Sequence, residues 1–162
     1  MKWITRERPK IDRVACPWLI ARFIDRDPEF VFAPPGEVLG RAAELGATPF
    51  DIEGVELSHE GPLCSFDAFI KKFGVTDPAV AELALIVRGA DTDRLDLAPQ
   101  AAGLLAISLG LSERYRDDHE LLERGFEIYD ALYVWLSRAK AERHMWNPQR
   151  ELGSARSGLA SG

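Results

Sequence analysis

The sequence predicts an α+β fold, a small sheet or hairpin in the N-terminal half packed against a mainly helical C-terminal half. Two observations carry this. Short β-branched and aromatic runs, "KWITRE" and "EFVFAP", fall in the first half and are broken by proline, as strands are. From Ser65 onward, apolar residues recur behind Ser, Asp and Pro in the manner of capped amphipathic helices.

In order, "KWITRE" reads as a strand broken at Arg8-Pro9-Lys10. "DRVACPWLIARFID" then predicts a helix beginning near Cys16, with Pro17 in the first turn, where its missing N–H is no loss. Trp18, Leu19, Ile20, Phe23 and Ile24 supply its core face. The run 29–34 is a strand stopped by Pro34-Pro35, and a short helix follows from about Glu37 to Leu45, ended by Gly46. "TPFDIEGVELS" contains two short strand-like pieces with Glu53-Gly54 at the turn, which predicts a hairpin at the sheet edge.

Ser65 is expected to cap "FDAFIKKF", Asp77-Pro78 opens "AVAELALIVRGA", and Pro99 falls in the first turn of "QAAGLLAISLGL". The last long helix begins near Asp117 or Asp118, with Leu122, Phe126, Tyr129, Tyr133 and Leu136 as its buried stripe. His119 lies one turn before Leu122 on that stripe, which points a titratable side chain inward. Beyond Trp146 the chain is rich in Gly, Ser and Arg and has no aromatic residue. A domain over 1–146 and a flexible tail over 147–162 are therefore expected.

A chain of 162 residues, 46% hydrophobic, suffices for one well-buried core. With 20 Lys+Arg against 26 Asp+Glu the formal charge is -6, which disfavours autonomous nucleic-acid binding. The first residues carry charge but no following apolar segment, and no run is long enough to span a membrane, so a cytoplasmic protein is expected. Two cysteines are too few for a disulfide framework and would act, if at all, as ligands or reactive groups.

The polar residues offer several candidate sites. Cys16, at an expected helix start with Arg13 and Arg22 nearby in sequence, has the setting of a reactive thiolate; a small buried core residue fits equally well. His59, Cys64 and Asp67 lie where a strand is expected to hand over to a helix, and imidazole with thiolate suits zinc, iron or copper. The spacing matches no standard zinc finger. His119 and Glu123, four apart on a helix, share a face on which both can reach one ion. Arg88, Asp91, Asp93 and Asp96 surround a helix end, without the glycine and terminal glutamate of an EF-hand. No G-x-S-x-G elbow, phosphate loop, dinucleotide fingerprint or H-E-x-x-H pair is found.

The blocks "RPKIDRVACPWLIARFID", "PFDIEGVELSHEGPLCSFDAF", "IVRGADT", "LAPQAAGLLAISLGL" and "DDHELLERG" together resemble the carboxy-terminal domain family of ChrB, the chromate-resistance protein, from about Trp3 to about Arg138. In that family the domain often follows an amino-terminal region in a protein implicated in chromate-responsive regulation, and it also occurs alone or beside rhodanese-like domains. Here Met1 stands almost at the first matching block, so a stand-alone form is expected. The resemblance implies chromate resistance or sensing in bacteria. It supplies no catalytic mechanism. Cys16, His59, Cys64, Asp91 and His119 all fall inside the matching blocks.

Three mechanisms follow as expectations. The preferred one has His59 and His119 converging with one or more of Cys64, Asp91 and Glu123 on zinc, iron or manganese, leaving open positions for water or an oxyanion. In the second, Arg13, Arg22 and Arg88 form a metal-free pocket for chromate or another oxyanion, with Cys16 and Cys64 as the groups the oxidant meets. The third is an enzyme of unknown substrate that uses metal-bound water or a thiolate. The last helix, with Tyr129, Trp135 and Leu136, has enough apolar surface for a homodimer, and that surface fits complete burial equally well.

Overall fold

The computed structural model describes residues 1–143; the expected domain end at 146 and tail at 147–162 lie outside the described residues. The N-terminal part is a three-stranded parallel sheet of β1 (Lys2–Arg6), β2 (Glu29–Ala33) and β3 (Thr48–Pro49) in the order β2-β1-β3. Trp3 pairs with Phe30 and Thr48, and Ile4 with Val31 and Pro49. Helix α1 (Asp12–Leu19), extended by a π-helical turn at Ile20–Ile24, links β1 to β2, and α2 (Val38–Leu45) links β2 to β3.

The alternation of side chains along the strands explains why both faces are covered. Ile4 and Ala33 pack with Val38 and Ala42 of α2. On the opposite face, Trp3, Phe30 and Phe32 join the main core around α1. With α1 and α2 on opposite faces and β1 in the middle, the order of strand addition reverses between β1 and β3. In an open α/β sheet that is the topological switch point, where a crevice forms at the carboxyl ends of the strands.

The remaining chain is helical: α3 (Ser65–Phe73), α4 (Pro78–Asp91), a short 3-10 turn (Leu95–Leu97), α5 (Ala101–Arg114) and α6 (Asp118–Val134), with a π-helical turn at Trp135–Ala139. Asp77 caps α4 through Ala79 and Val80 N–H, and Asp117 caps α6 through Glu120 N–H, as their sequence positions predict. Tyr129 and Leu136 are buried in the main core. No helix among the described residues is long and apolar enough to cross a membrane.

Four local expectations are corrected. Helix α1 starts at Asp12, a full turn before Cys16, so Pro17 lies inside it. The start is fixed by tertiary contacts: Ile11 accepts hydrogen bonds from Val14 and Ala15 N–H, and its carbonyl also accepts from Tyr129 OH at 2.8 Å. The expected hairpin is absent, because β3 pairs in parallel with β1 and residues 51–58 form turns closed by Asp51 N–H on Leu57 O. Cys64, not Ser65, caps α3, in a reciprocal box with Asp67. Finally, His119 is exposed. Asp118, rather than His119, continues the spacing of Leu121, Leu122, Gly125 and Tyr129, so the histidine turns outward and sets its ring against Phe32 at 5.3 Å.

Candidate metal centre

Four segments bring their polar groups to the switch-point crevice. Asp12 is the first residue of α1, Asp51 follows β3, His59 lies on the loop before α3, and Asp91 is the last residue of α4. Asp12 and Asp51 are buried. His59 Nε2 stands 3.3 Å from Asp12 Oδ2, 3.2 Å from Asp91 Oδ2 and 3.5 Å from Asp51 Oδ1. Its side chain is 41% exposed, so the cluster opens to solvent on the imidazole side.

The backbone holds the carboxylates in place. Ile11 has φ 41 and ψ -104, and Asp51 has φ 51, conformations that cost a side-chain-bearing residue on the order of 1–3 kcal/mol. The surroundings enforce both. Ile11 is tied by Tyr129, while Asp51 accepts from Arg6 Nη2 at 2.7 Å and Ser65 Oγ at 2.8 Å and pairs with Arg13 Nε at 3.2 Å. Ser65 N–H, the first of α3, donates to Asp12 Oδ2 at 3.1 Å. The serine thus joins two carboxylates instead of capping its helix.

Electrostatically the cluster is an excess of buried negative charge. Burial, followed by the neighbouring Asp12, pushes Asp91 up to about 7 and raises Asp51 as well. Hydrogen bonding to Asp12, reinforced by the charges of Asp12, Asp91 and Asp51, raises His59 to about 9 against the opposing effect of burial. Near neutral pH the imidazole is therefore a cation among carboxylates.

A divalent cation can take over that role. One ligand atom from each of Asp12, His59 and Asp91 lies within 4.8 Å of the other two. Donors bound at about 2.1 Å stand roughly 3.0 Å apart when adjacent in an octahedron and roughly 3.4 Å apart in a tetrahedron. The His59 separations of 3.3 and 3.2 Å match these spacings. Asp51, with Arg6, Arg13 and Ser65 on its oxygens, braces the site.

The sequence candidates divide accordingly. His59 and Asp91 come together, with Asp12 as a third member that sequence reasoning missed. Placing the helix start at Cys16 concealed it; an acidic residue four positions before that cysteine was the available signal. Cys64 lies next to Ser65, but its thiol is buried, contacts Asp67 Oδ2 at 3.4 Å and is pushed well above its ordinary pKa by burial. Cys16 is sealed in the core and its pKa is likewise raised by burial, the setting of the small buried core residue that was one of its two sequence readings. His119 and Glu123 are exposed on α6, outside the group of converging ligand atoms.

The three candidate guanidinium groups are held by separate carboxylates. Arg22 is bidentate to Asp130, at 3.0 and 2.7 Å, and Arg88 to Asp67, at 2.9 and 2.6 Å. Arg13 pairs with Asp51 and donates to the carbonyls of Arg6 and Glu7; burial lowers its pKa. Of the three, only Arg13 borders the imidazole cluster through a shared carboxylate.

Comparison with known proteins fits this architecture. The family described as ChrB, C-terminal domain, matches residues 3–136. Protein ChrB of Cupriavidus metallidurans is 32% identical over 142 residues, which cover 84% of this chain and 41% of that protein. No solved structure matches. Asp12, His59 and Asp91 all lie within the matched residues, and by that match the chain belongs to the ChrB C-terminal domain family.

Proposed function

We propose that this domain binds one divalent cation, zinc, iron or manganese, through Asp12, His59 and Asp91, and that this site is its contribution to bacterial chromate resistance or sensing. The observation that supports the reading best is the 3.2–3.3 Å spacing of His59 Nε2 from two carboxylate oxygens on different helices. Three protein donors, two oxygens and one nitrogen, suit these metals and leave positions for water or a ligand. The chromate connection rests on the family resemblance, and the matched ChrB protein is more than twice as long as the aligned region.

Elemental analysis of protein purified without an affinity tag or chelator tests the site. About one equivalent of metal is expected, retained in His119→Ala, lost in His59→Ala and reduced in Asp91→Asn. Metal content equal in all four proteins, or wild-type protein that refuses added zinc, iron and manganese, would exclude this centre. The metal-free alternative through Arg13, Arg22 and Arg88 has less support, because each guanidinium is already committed to a carboxylate.

A further inference from the structure

The two edges of the sheet differ in what they offer. At the β3 edge Phe50 N–H is turned inward to Ile4 O, so the outward residue is Pro49, which has no N–H to donate. The β2 edge has five residues, Glu29–Ala33, and no proline among them. Glu29 N–H donates to Met1 O at 2.8 Å, and Ala33 O accepts from Glu7 N–H at 2.9 Å, so residues 29, 31 and 33 bond to β1. In a parallel ladder the intervening residues turn their N–H and C=O the other way. Phe30 and Phe32 therefore present two donors and two acceptors along the outer edge. An open apolar edge of this kind is a template for a further strand.

Helix α6 lies alongside that edge, on the face of the sheet that also carries α1. His119 sets its ring against Phe32 at 5.3 Å, and Phe126 meets Phe30 at 6.4 Å. Glu123 falls between them on the same strip of the helix and is exposed. A cleft of about 530 Å³ opens beside the strand, lined by Glu29, Phe30, Phe32, Asp117 and His119 among others. Glu29 is paired with Lys2 at 3.4 Å, and Arg116, the cation of the lining, with Glu113 at 3.2 Å. Glu123 and Asp117 have no ion-pair partner among the described residues, which leaves the strip beside the edge negative.

This arrangement selects the occupant. A second copy paired edge to edge would bring its own α1 and α6 into the layer where this α6 already lies. A lone extended segment brings no helices with it, and every second side chain of such a strand would point at the α6 strip. We infer that β2 docks an extended basic segment of another protein as a fourth strand, with lysine or arginine side chains toward Glu123 and Asp117. Main-chain hydrogen bonds to Phe30 and Phe32 supply the affinity, and the carboxylates select the side chains.

The test uses the full chain, isotope-labelled for NMR, and a synthetic peptide of alternating lysine and threonine. Peptide addition should slow amide exchange at Phe30 and Phe32 at least about fivefold. The same peptide N-methylated at every residue keeps its charge but cannot donate along either edge, and its affinity should fall at least about tenfold. A peptide of alternating glutamate and threonine should bind at least about tenfold more weakly than the lysine peptide. Glu123→Lys, a change at an exposed helix position, should narrow or reverse that preference. Unchanged exchange at Phe30 and Phe32, equal binding of the N-methylated peptide, a charge preference untouched by Glu123→Lys, or refusal of the lysine peptide would overturn the inference. Protection of Phe30 and Phe32 that rises with protein concentration alone would overturn it too, by assigning the edge to a second copy.

Discussion

His59 Nε2 and Asp91 Oδ2 lie 3.2 Å apart, joining the loop before α3 to the last residue of α4. At the proposed cation site the contact has a testable consequence, because the proton on the imidazole and a divalent cation would answer the same excess of negative charge. Asp91→Asn removes one charge and replaces a carboxylate oxygen by a weaker amide oxygen. Zinc affinity is expected to fall at least about tenfold, and the His59 pKa to move from about 9 towards its ordinary value. Calorimetry and NMR titration of the imidazole check both. Unchanged zinc affinity would remove Asp91 from the ligand set.

The same contacts set the pH dependence. The folded pKa values of His59, about 9, and Asp91, about 7, both lie above their ordinary values, so the native state binds protons more tightly than the unfolded chain. Their combined stabilisation of metal-free protein is complete below the ordinary carboxylate range. It declines as Asp91 ionises towards pH 7 and further as His59 deprotonates towards pH 9. Metal binding at the proposed site would run the other way, since it would displace protons from both groups. Denaturant unfolding between pH 5 and 9 should show the apo domain weakening while the zinc-induced increment grows. A zinc increment that shrinks over that range would contradict the ligand assignment.

Much of this architecture was legible in the chain, and the misses have identifiable physical causes. Asp77 and Asp117 cap their helices through local hydrogen bonds, and Gly46 ends α2 at φ 61, so short sequence signals sufficed. His59 and Asp91 were recognisable as candidates by residue type and position. Asp12 was not, because the start of α1 depends on the strained Ile11 backbone and on Tyr129, which is remote in sequence. The parallel β3 contains only Thr48 and Pro49, too short to leave a periodic pattern, so alternation in 50–58 suggested a hairpin instead. His119 was misplaced by one helical position relative to Asp118.

Thiol chemistry provides a separate check on the buried cysteines. Cys16 and Cys64 are both inaccessible, and burial raises both thiols well above their ordinary pKa. Disulfide-exchange reagents attack thiolates, so both cysteines should react slowly in native protein and rapidly after unfolding. Ellman's reagent with and without guanidinium chloride measures this. Fast stoichiometric labelling of either cysteine in the native state would restore the reactive-thiol reading.

The contact between α1 and α6 links core packing to the site. Gly125 of α6 is buried, and a β-carbon there would fall 2.4 Å from Val14 Cγ1, only two residues beyond Asp12. In a close-packed interior such overlap forces the helices apart, typically at about 1–3 kcal/mol, while alanine returns up to about 1 kcal/mol through helix propensity. Gly125→Ala should therefore lower stability by roughly 1–2 kcal/mol. Because α1 carries Asp12, it should also weaken zinc binding while leaving all three donor residues unchanged. Adding Val14→Ala removes the obstructing methyl and should recover part of both losses, a coupling that independent sites would not show. Urea unfolding and zinc calorimetry on the single and double variants measure it; a Gly125→Ala protein as stable as wild type would mean that the two helices do not approach this closely.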